Sequence, residues 1–158
     1  MRKLYNLPMT QELNRNTKIW LTVARIALGW FFFYAGLVKI LDAKWSAAGF
    51  LNTAKTFPGL YAWFAGPSVI GVVNFVNEWA LLLLGVSLIL GLFVRWSTIP
   101  GVFLMLLYYF ASNAFPFVSN GFIVDEHIIY IAMLIIFFVT HDGNYFGLDD
   151  KFGKKTSQ

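Results

Sequence analysis

The fold of this chain is decided by residues 19–41, which read IWLTVARIALGWFFFYAGLVKIL. Only Arg25 and Lys39 are charged in this segment. The hydrocarbon core of a bilayer is about 30 Å thick and needs about 20 apolar helical residues to cross it. The segment therefore predicts a membrane-spanning helix. It is not expected to be a cleaved signal peptide, because it is too long, contains charges and is followed by no small-residue cleavage site.

The composition predicts a membrane protein with a single domain, residues 1–158. Hydrophobic residues make up 58% of the chain and charged residues only 13%, whereas soluble domains contain about 25% charged residues. The absence of cysteine excludes disulfides, cysteine-bound metals and iron–sulfur clusters held by this chain alone. The net charge of +4 comes from residues beside the apolar segments, so we attribute it to membrane topology and expect no nucleic-acid partner.

Three further apolar segments bring the predicted number of membrane-spanning helices to four. They are residues 69–94, 98–118 and 122–139. We expect a tight turn at residues 95–97, with Pro100 in the first turn of the next helix. Pro116 and Gly121 mark the third connection. Small and polar residues recur in steps of three and four along each segment, as in helices that pack together. The predicted fold class is therefore all-α, an integral membrane four-helix bundle.

Lysine and arginine are distributed unequally between the two sides of this bundle. One side has Lys44 and Lys55, whereas the other has Arg2, Lys3, Arg15, Lys18, Arg95, Lys151, Lys154 and Lys155. The positive-inside rule then places both termini in the cytoplasm, with Arg95 as a topology anchor. Arg25 also lies toward this side, where we expect it to meet lipid phosphate or the acidic C-terminal tail rather than a substrate.

The first connection, residues 42–67, is long and aromatic. Its apolar residues repeat at the spacing of one helix face: Ala47, Phe50, Leu51, Ala54 and Phe57. Ser46 is placed as an N-cap. This pattern predicts an amphipathic helix that lies on the outer surface of the membrane.

Polar side chains of the four spans are predicted to meet in the outer half of the membrane. Lys39 lies at the outer end of the first span, Glu78 lies ~13 Å below the outer end of the second at 1.5 Å per residue, and His127 begins the fourth. The other polar residues of this zone are Asn74, Asn77, Ser112 and Asn113. A carboxylate inside the membrane is costly unless it is paired, protonated or hydrated, which makes Glu78 a functional candidate.

Each of these charged residues also has a structural interpretation. Glu78 and Lys39 would stabilise the bundle as an ion pair, and Lys39 is close enough to a helix end to extend to the surface. Asp125 and Glu126 suit a helix N-terminus, where the dipole favours acids. His127 titrates near neutral pH and can relay a proton, or it is an ordinary residue of the membrane interface.

Residues 30–34 are five consecutive aromatic residues, WFFFY, in the middle of the first span. An interfacial aromatic belt does not explain that depth. With other aromatic residues of the bundle they would surround a flat hydrophobic ligand such as a quinone ring, and ordinary packing against helices and lipid is the alternative. The candidate residues for binding substrate or quinone are Trp30, Tyr34, Asn74, Asn77, Trp79, Tyr108, Asn113 and Glu126.

No metal site is predicted from the sequence. His127 and His141 fall at opposite ends of the fourth span. Metal-binding and nucleotide-binding motifs such as HExxH, GxGxxG and the Walker loop are absent.

Five motifs follow one another along nearly the whole chain. They are RIALGWFFFYAGLVK at residues 25–39, Glu78, LILGLFVR at residues 88–95, VDEH at residues 124–127 and GNYFGLD at residues 143–149. Together and in this order they resemble the DoxX/DoxD family of small four-helix membrane proteins. The Asp-Glu-His motif is most similar to the DoxD branch.

This resemblance implies a subunit of the prokaryotic cytoplasmic membrane that is linked to quinones. DoxD-type proteins are associated with thiosulfate:quinone oxidoreductase, which oxidises thiosulfate to tetrathionate and reduces a quinone. Other members of the family are described as partners in redox-stress complexes. Without cysteine in this chain, any persulfide chemistry would have to occur on another subunit.

Three functional hypotheses follow. The first is a quinone-linked oxidoreductase subunit in which Lys39 attracts an anion such as thiosulfate, Glu78 and His127 move protons, and the mid-membrane aromatics hold the ring. The second is a non-catalytic membrane anchor or assembly partner whose buried ions specify the bundle. The third is a small transporter that uses the Glu78 cluster for protons or a cation. The expected partners are membrane lipids and either a second subunit or further copies of the chain.

Overall fold

The computed structural model describes residues 13–119 and 121–149, which are almost entirely helical. The helices are α1 (Arg15–Leu41), α2 (Ala48–Asn52), α3 (Pro58–Phe64), α4 (Ile70–Leu90), α5 (Val94–Ser112), α6 (Glu126–Thr140) and a short 3-10 helix (Asp142–Asn144). Two-residue strands, β1 (Phe117–Val118) and β2 (Gly121–Phe122), pair antiparallel between α5 and α6.

Three of the described helices, α1, α4 and α5, are long and apolar enough to cross a membrane. The chain is therefore a membrane protein, as its composition predicted. Helix α6 is equally apolar but has 15 residues, which at 1.5 Å per residue reach about 22 Å against a hydrocarbon core of about 30 Å. A fourth crossing by α6 consequently remains a prediction.

The four long helices meet at one apolar core. Helix α1 packs along α4, and α5 packs along α6. The fully buried residues that join all four are Leu28, Phe32, Leu81, Leu84, Leu88, Met105, Leu134 and Phe137. Most of these lie on the inward faces that the steps of three and four predicted, so that part of the sequence interpretation is confirmed.

Glycines let the backbones of α1 and α4 approach each other closely. A Cβ on Gly36 would lie 2.5 Å from the backbone nitrogen of Leu82, and a Cβ on Gly85 would overlap the backbone of Phe33. Small residues allow this kind of contact between membrane helices, where dispersion forces and packing replace the hydrophobic effect as the cause of association.

We expect the substitution Gly85→Ala to destabilise the protein by about 1–3 kcal/mol, because the new methyl group has no room against α1. Gly71→Ala is the matched control on the same helix, since a Cβ there meets no atom within 4 Å. Thermal unfolding in detergent measures both. Equal melting temperatures for the two variants would contradict the close contact between α1 and α4.

The predicted turn at residues 95–97 is wrong. The chain turns at Gly91 and Phe93, which have φ values of 64° and 54°, and Val94 already begins α5. The carboxylate of Asp149 accepts hydrogen bonds from the backbone N–H groups of Phe93 (2.8 Å) and Val94 (3.2 Å) and so caps the helix. Pro100 lies inside α5 rather than in its first turn.

The predicted boundaries of the last two spans also shift. Helix α5 ends at Ser112 instead of residue 118, because the chain leaves the helix at Asn113 and forms the β1–β2 hairpin. Helix α6 begins at Glu126 instead of residue 122, since the Asp125 side chain caps it.

The predicted amphipathic helix in residues 42–67 is two short helices. The predicted N-cap is wrong, because α2 begins one residue later with Ala47 as its N-cap, although Ser46 accepts a hydrogen bond from the backbone N–H of Ala48. Helix α2 ends after five residues. Phe57 takes a left-handed conformation before Pro58 starts α3. Ala47, Leu51, Ala54 and Tyr61 then pack in a second core with Ala111 of α5.

Candidate functional site

Lys39, near the end of α1, joins three helices through its ammonium group. Its Nζ donates a hydrogen bond to Oδ1 of Asn77 on α4 (3.0 Å) and another to the hydroxyl of Tyr108 on α5 (2.9 Å). The amide and the phenol also bond to each other, with Nδ2 of Asn77 lying 2.6 Å from the Tyr108 hydroxyl oxygen. These three side chains form the polar centre of the site, and the sequence predicted all three.

Aromatic faces complete the environment of the Lys39 ammonium. The Nζ atom lies 4.9 Å from the centroid of the Trp45 ring and 5.3 Å from that of Tyr108, distances at which a cation is attracted to the π face. An ammonium group has three N–H donors, and two of them are used by Asn77 and Tyr108. The third is available to a ligand that lies against these rings.

The polar centre lies at a cavity of about 500 Å³, which we call the Lys39 cavity. This volume is within the range of about 300–1,000 Å³ typical of small-molecule sites. Most of the lining is apolar or aromatic and comes from α2, α3, α4 and α5: it includes Phe50, Leu51, Tyr61, Trp63, Phe64 and Val76. An apolar cavity with a few convergent polar groups is the usual form of a site for a small organic ligand.

The segment that carries α2 and α3 is fixed over the cavity by hydrogen bonds. Oδ1 of Asn74 accepts from the backbone N–H of Ala47 at 2.9 Å, and its Nδ2 donates to Ser46. The buried Tyr61 hydroxyl donates to the carbonyl of Leu107 at 2.7 Å. Asn74, predicted to bind ligand, therefore positions the wall of the cavity. Trp45 and Tyr61 are part of the site but were not among the residues predicted from the sequence.

Glu78 is half-buried on α4, next in sequence to Asn77. Within residues 13–119 and 121–149 it makes no hydrogen bond and no close ion pair, although it interacts electrostatically with Lys39. The structural interpretation of Glu78 and Lys39 as a close ion pair is thus wrong, because Lys39 bonds to two neutral groups instead.

Asp125 has the capping role that the sequence suggested. One of its oxygens accepts from the backbone N–H groups of His127 and Ile128, and the other lies 2.6 Å from Nδ2 of Asn113 and 2.9 Å from Nδ1 of His127. Both carboxylate oxygens are therefore occupied. Together with Glu126 and His127, Asp125 could offer ligand atoms within 4.8 Å of one another, but the hydrogen bonds already explain this geometry.

His127 contacts the polar centre without lining the Lys39 cavity. Its ring stacks on that of Tyr108 with a centroid distance of 5.9 Å and an interplanar angle of 22°. Asn113 and Glu126 line a separate, smaller cavity of about 120 Å³ at the start of α6. The structure thus brings Lys39, Asn77, Tyr108 and His127 together, whereas Asn113 and Glu126 lie outside this group.

Three of the predicted aromatic residues face outward. Trp30, Tyr34 and Trp79 are 60%, 56% and 41% exposed and do not line either cavity. They lie on surfaces of α1 and α4 that are available to lipid. The aromatic lining of the cavity comes instead from Trp45, Phe50 and other residues of the α2–α3 segment.

Arg25, at the opposite end of the bundle, is buried against the C-terminal segment. Its Nη1 donates to the carbonyl of Asp142 at 2.8 Å, and its Nε lies 3.4 Å from Oδ2 of the same residue. The acidic tail is thus one of the two partners that the sequence suggested. Arg95 is exposed and lies over the ring of Phe138, 5.0 Å from its centroid.

Residues 142–149 form a cap over this end of the bundle. The Thr22 hydroxyl of α1 donates to the carbonyl of Tyr145. The backbone N–H groups of Leu148 and Asp149 donate to the carbonyls of Leu90 and Gly91 in the turn between α4 and α5. The cap therefore ties α1 to the α4–α5 turn, and it contains the GNYFGLD motif.

Comparison with known proteins identifies the family. A family model described as DoxX matches residues 20–114, the part of the chain from α1 to just beyond the end of α5. Comparisons with curated proteins and with solved structures found no match. The matched region contains the whole Lys39 centre and more than half of the sequence, and the chain belongs to the DoxX family.

Proposed function

We propose that this protein is the membrane subunit of a quinone-linked oxidoreductase and that the Lys39 cavity binds the quinone ring. The observation that carries the proposal is the Lys39–Asn77–Tyr108 centre at an otherwise apolar and aromatic cavity. A quinone has a flat ring that suits the aromatic lining, and its carbonyl oxygen is an acceptor for the third N–H of the Lys39 ammonium. The apolar lining favours such a ring over a hydrated inorganic anion.

The same centre would stabilise the reduced ring. Reduction of a quinone to a quinol takes up two electrons and two protons, and negative charge develops on the oxygen before it is protonated. A fixed cation and hydrogen-bond donors aimed at that oxygen stabilise the charge in a site of low dielectric constant. Tyr108 bonds to Lys39 and stacks on His127, so the protons would arrive from the side of Tyr108 and His127.

The electrons would come from a donor oxidised outside the cavity. If the donor is thiosulfate, two thiosulfate ions are joined into one tetrathionate and release the two electrons that the quinone accepts. A second subunit or another copy of the chain would carry that donor site.

We further propose four membrane crossings with both termini in the cytoplasm. The apolar residues Phe122, Ile123 and Val124 precede α6 and lengthen the apolar stretch beyond the helix itself. Arg15, Lys18 and Arg95 lie at the end of the bundle that carries Arg25. The positive-inside rule makes this end cytoplasmic. The Lys39 cavity then lies in the outer half of the bilayer.

Single-cysteine labelling tests this topology without background, since the natural chain has no cysteine. Thr53→Cys and Ser119→Cys, both at exposed positions, should react with an impermeant thiol reagent added outside intact cells. Arg95→Cys and Lys155→Cys should react only after the membrane is opened. Labelling of positions 119 and 155 from the same side would show that α6 does not cross and would overturn the four-crossing topology.

Ligand-induced stabilisation tests the quinone site. A short-chain quinone should raise the melting temperature of the detergent-solubilised protein, because a ligand at 100 times its dissociation constant stabilises the folded state by about 2.7 kcal/mol. Lys39→Gln should lose most of this shift. Lys44→Gln is the matched control, since Lys44 is exposed outside the cavity. If folded wild-type protein shows no shift and no binding with several quinones, the anchor or assembly role replaces this proposal.

A further inference from the structure

This inference rests on the proposed function and concerns how the ligand reaches the Lys39 cavity. The lining residues that are exposed mark its mouth, and they are Ser46, Phe50, Trp63, Val72 and Val76. Four of the five are apolar, and none is charged. Trp63, Val72 and Val76 are between 53% and 64% exposed.

The apolar part of the mouth belongs to a membrane-spanning helix. Val72 and Val76 are one turn apart on α4, which is long and apolar enough to cross the bilayer. Trp63 lies on α3, in the segment that precedes α4. If α4 crosses the bilayer, exposed apolar side chains on this side of the helix face acyl chains rather than water, and the mouth opens into the bilayer.

Besides Trp63, the α2–α3 segment exposes Ser46 and Phe50 at the cavity, and hydrogen bonds fix this segment in place. It is attached to α4 through Asn74 and Ala47, to α5 through Tyr61 and Leu107, and to the end of α5 through Thr56 and Asn113. Three separate attachments hold it in place. A ligand arriving from water would have to displace them, whereas one arriving from lipid would not.

We propose that the cavity takes a lipid-soluble ligand with a hydrocarbon tail, which enters sideways from the bilayer between α3 and α4. The polar ring reaches Lys39, and the tail leaves past Trp63, Val72 and Val76 to remain among the acyl chains. A quinone with an isoprenoid tail has this chemistry. A tailless, water-soluble compound would use only the inner part of the site.

The test compares two quinones with the same ring in protein reconstituted into lipid nanodiscs. One has a tail of two isoprene units and the other has a methyl group in its place. The tailed compound should bind at least about tenfold more tightly, which corresponds to 1.4 kcal/mol. Val76→Trp should weaken binding of the tailed compound by at least about tenfold. Leu83→Trp should not, since Leu83 is an exposed residue of the same helix outside the cavity.

A second measurement locates the tail without blocking the mouth. A tail with bromine at its end should quench tryptophan fluorescence in wild-type protein, and Trp63→Phe should remove most of the saturable quenching. Trp96→Phe is the control, because Trp96 is exposed at the start of α5 and does not line the cavity. This measurement shows whether the tail lies beside Trp63 even if the Val76→Trp variant does not fold.

The outcomes separate this inference from the proposed function. Equal affinity for the two quinones, or tail quenching that Trp63→Phe leaves unchanged, would overturn entry from the bilayer while quinone binding stands. A bound phospholipid that neither quinone displaces, or no binding of either quinone to folded wild-type protein, would overturn both. Tenfold preference for the tail together with loss of tail quenching in Trp63→Phe supports the inference.

Discussion

Replacing Arg25 with glutamine should lower the stability of the folded protein by about 3–5 kcal/mol, since removal of one partner leaves a buried charge uncompensated. Arg25 is 1% exposed and Asp142 is fully buried. Both oxygens of the Asp142 carboxylate lack a hydrogen bond in the described structure, and Arg25 is the cation beside it. The variant would also lose the hydrogen bond from Nη1 to the Asp142 carbonyl.

The pH dependence of this loss follows from Asp142. Burial raises the pKa of its carboxyl group to about 6, although Arg25 acts in the opposite direction. A carboxyl group with a raised pKa in the folded state favours folding below its unfolded pKa, and this contribution is lost as the pH rises through about 6. Without Arg25 the charged form becomes still less favourable, so Arg25→Gln should lie closer to wild type at pH 5 than at pH 8.

Thermal unfolding in detergent at the two pH values measures the effect. The double variant Arg25→Gln with Asp142→Asn should regain part of the lost stability, because no charge is then left buried without a partner. Arg95→Gln serves as the control, since Arg95 is exposed. A single variant at Arg25 as stable as the control at pH 8 would show that the C-terminal cap does not depend on this pair.

The sequence was sufficient to predict the long helices and their inward faces, but not where the chain turns. Hydrophobic length predicted α1 and α4, and steps of three and four predicted their buried sides. The turn between α4 and α5 was misplaced because residues 95–97 and Pro100 looked like local turn signals. Its position is set instead by Gly91 and by hydrogen bonds from the backbone N–H groups of Phe93 and Val94 to the carboxylate of Asp149, more than fifty residues away in sequence.

Part of the candidate site was likewise predictable from the sequence, and part of it was not. Lys39 and Asn77 were predicted because polar groups at similar depth on packed helices were expected to meet, whereas Tyr108 was predicted only as an aromatic residue around a flat ligand. Tyr61 was missed because its position depends on the break at Phe57 between α2 and α3. Trp45 was missed because its position depends on the turn after α1, where its backbone N–H donates to the carbonyl of Asp42. The outward direction of Trp30 and Tyr34 was available from periodicity. They share a face at a spacing of four, on the side of α1 opposite to the buried Phe32 and Gly36.

Substitution of Glu78 is the test that best distinguishes a structural role of the polar cluster from a functional one. In the described parts of the chain it has no hydrogen bond and no close ion pair, so Glu78→Gln should leave the melting temperature nearly unchanged. An ionisable residue inside a membrane helix is costly, and within the described residues the electrostatic interaction with Lys39 offsets this cost. Glu78 lies next in sequence to Asn77, so in the proposed quinone reduction it would supply protons together with His127.

We therefore expect Glu78→Gln to lower the rate of quinone reduction by the reconstituted complex about 10²–10⁴-fold, the usual effect of removing a proton-transferring group. Quinone affinity should change little, because Glu78 does not line the cavity. Glu78→Asp, which keeps the carboxylate, should retain part of the rate and show a shifted pH profile.

Glu126→Gln is the matched control, an exposed acid outside the Lys39 cavity. A stable Glu78→Gln protein with wild-type turnover would exclude proton delivery by this carboxylate. A strongly destabilised Glu78→Gln variant would instead indicate a structural role for Glu78. Its charge would then stabilise the fold by interacting with Lys39 over a distance longer than that of an ion pair.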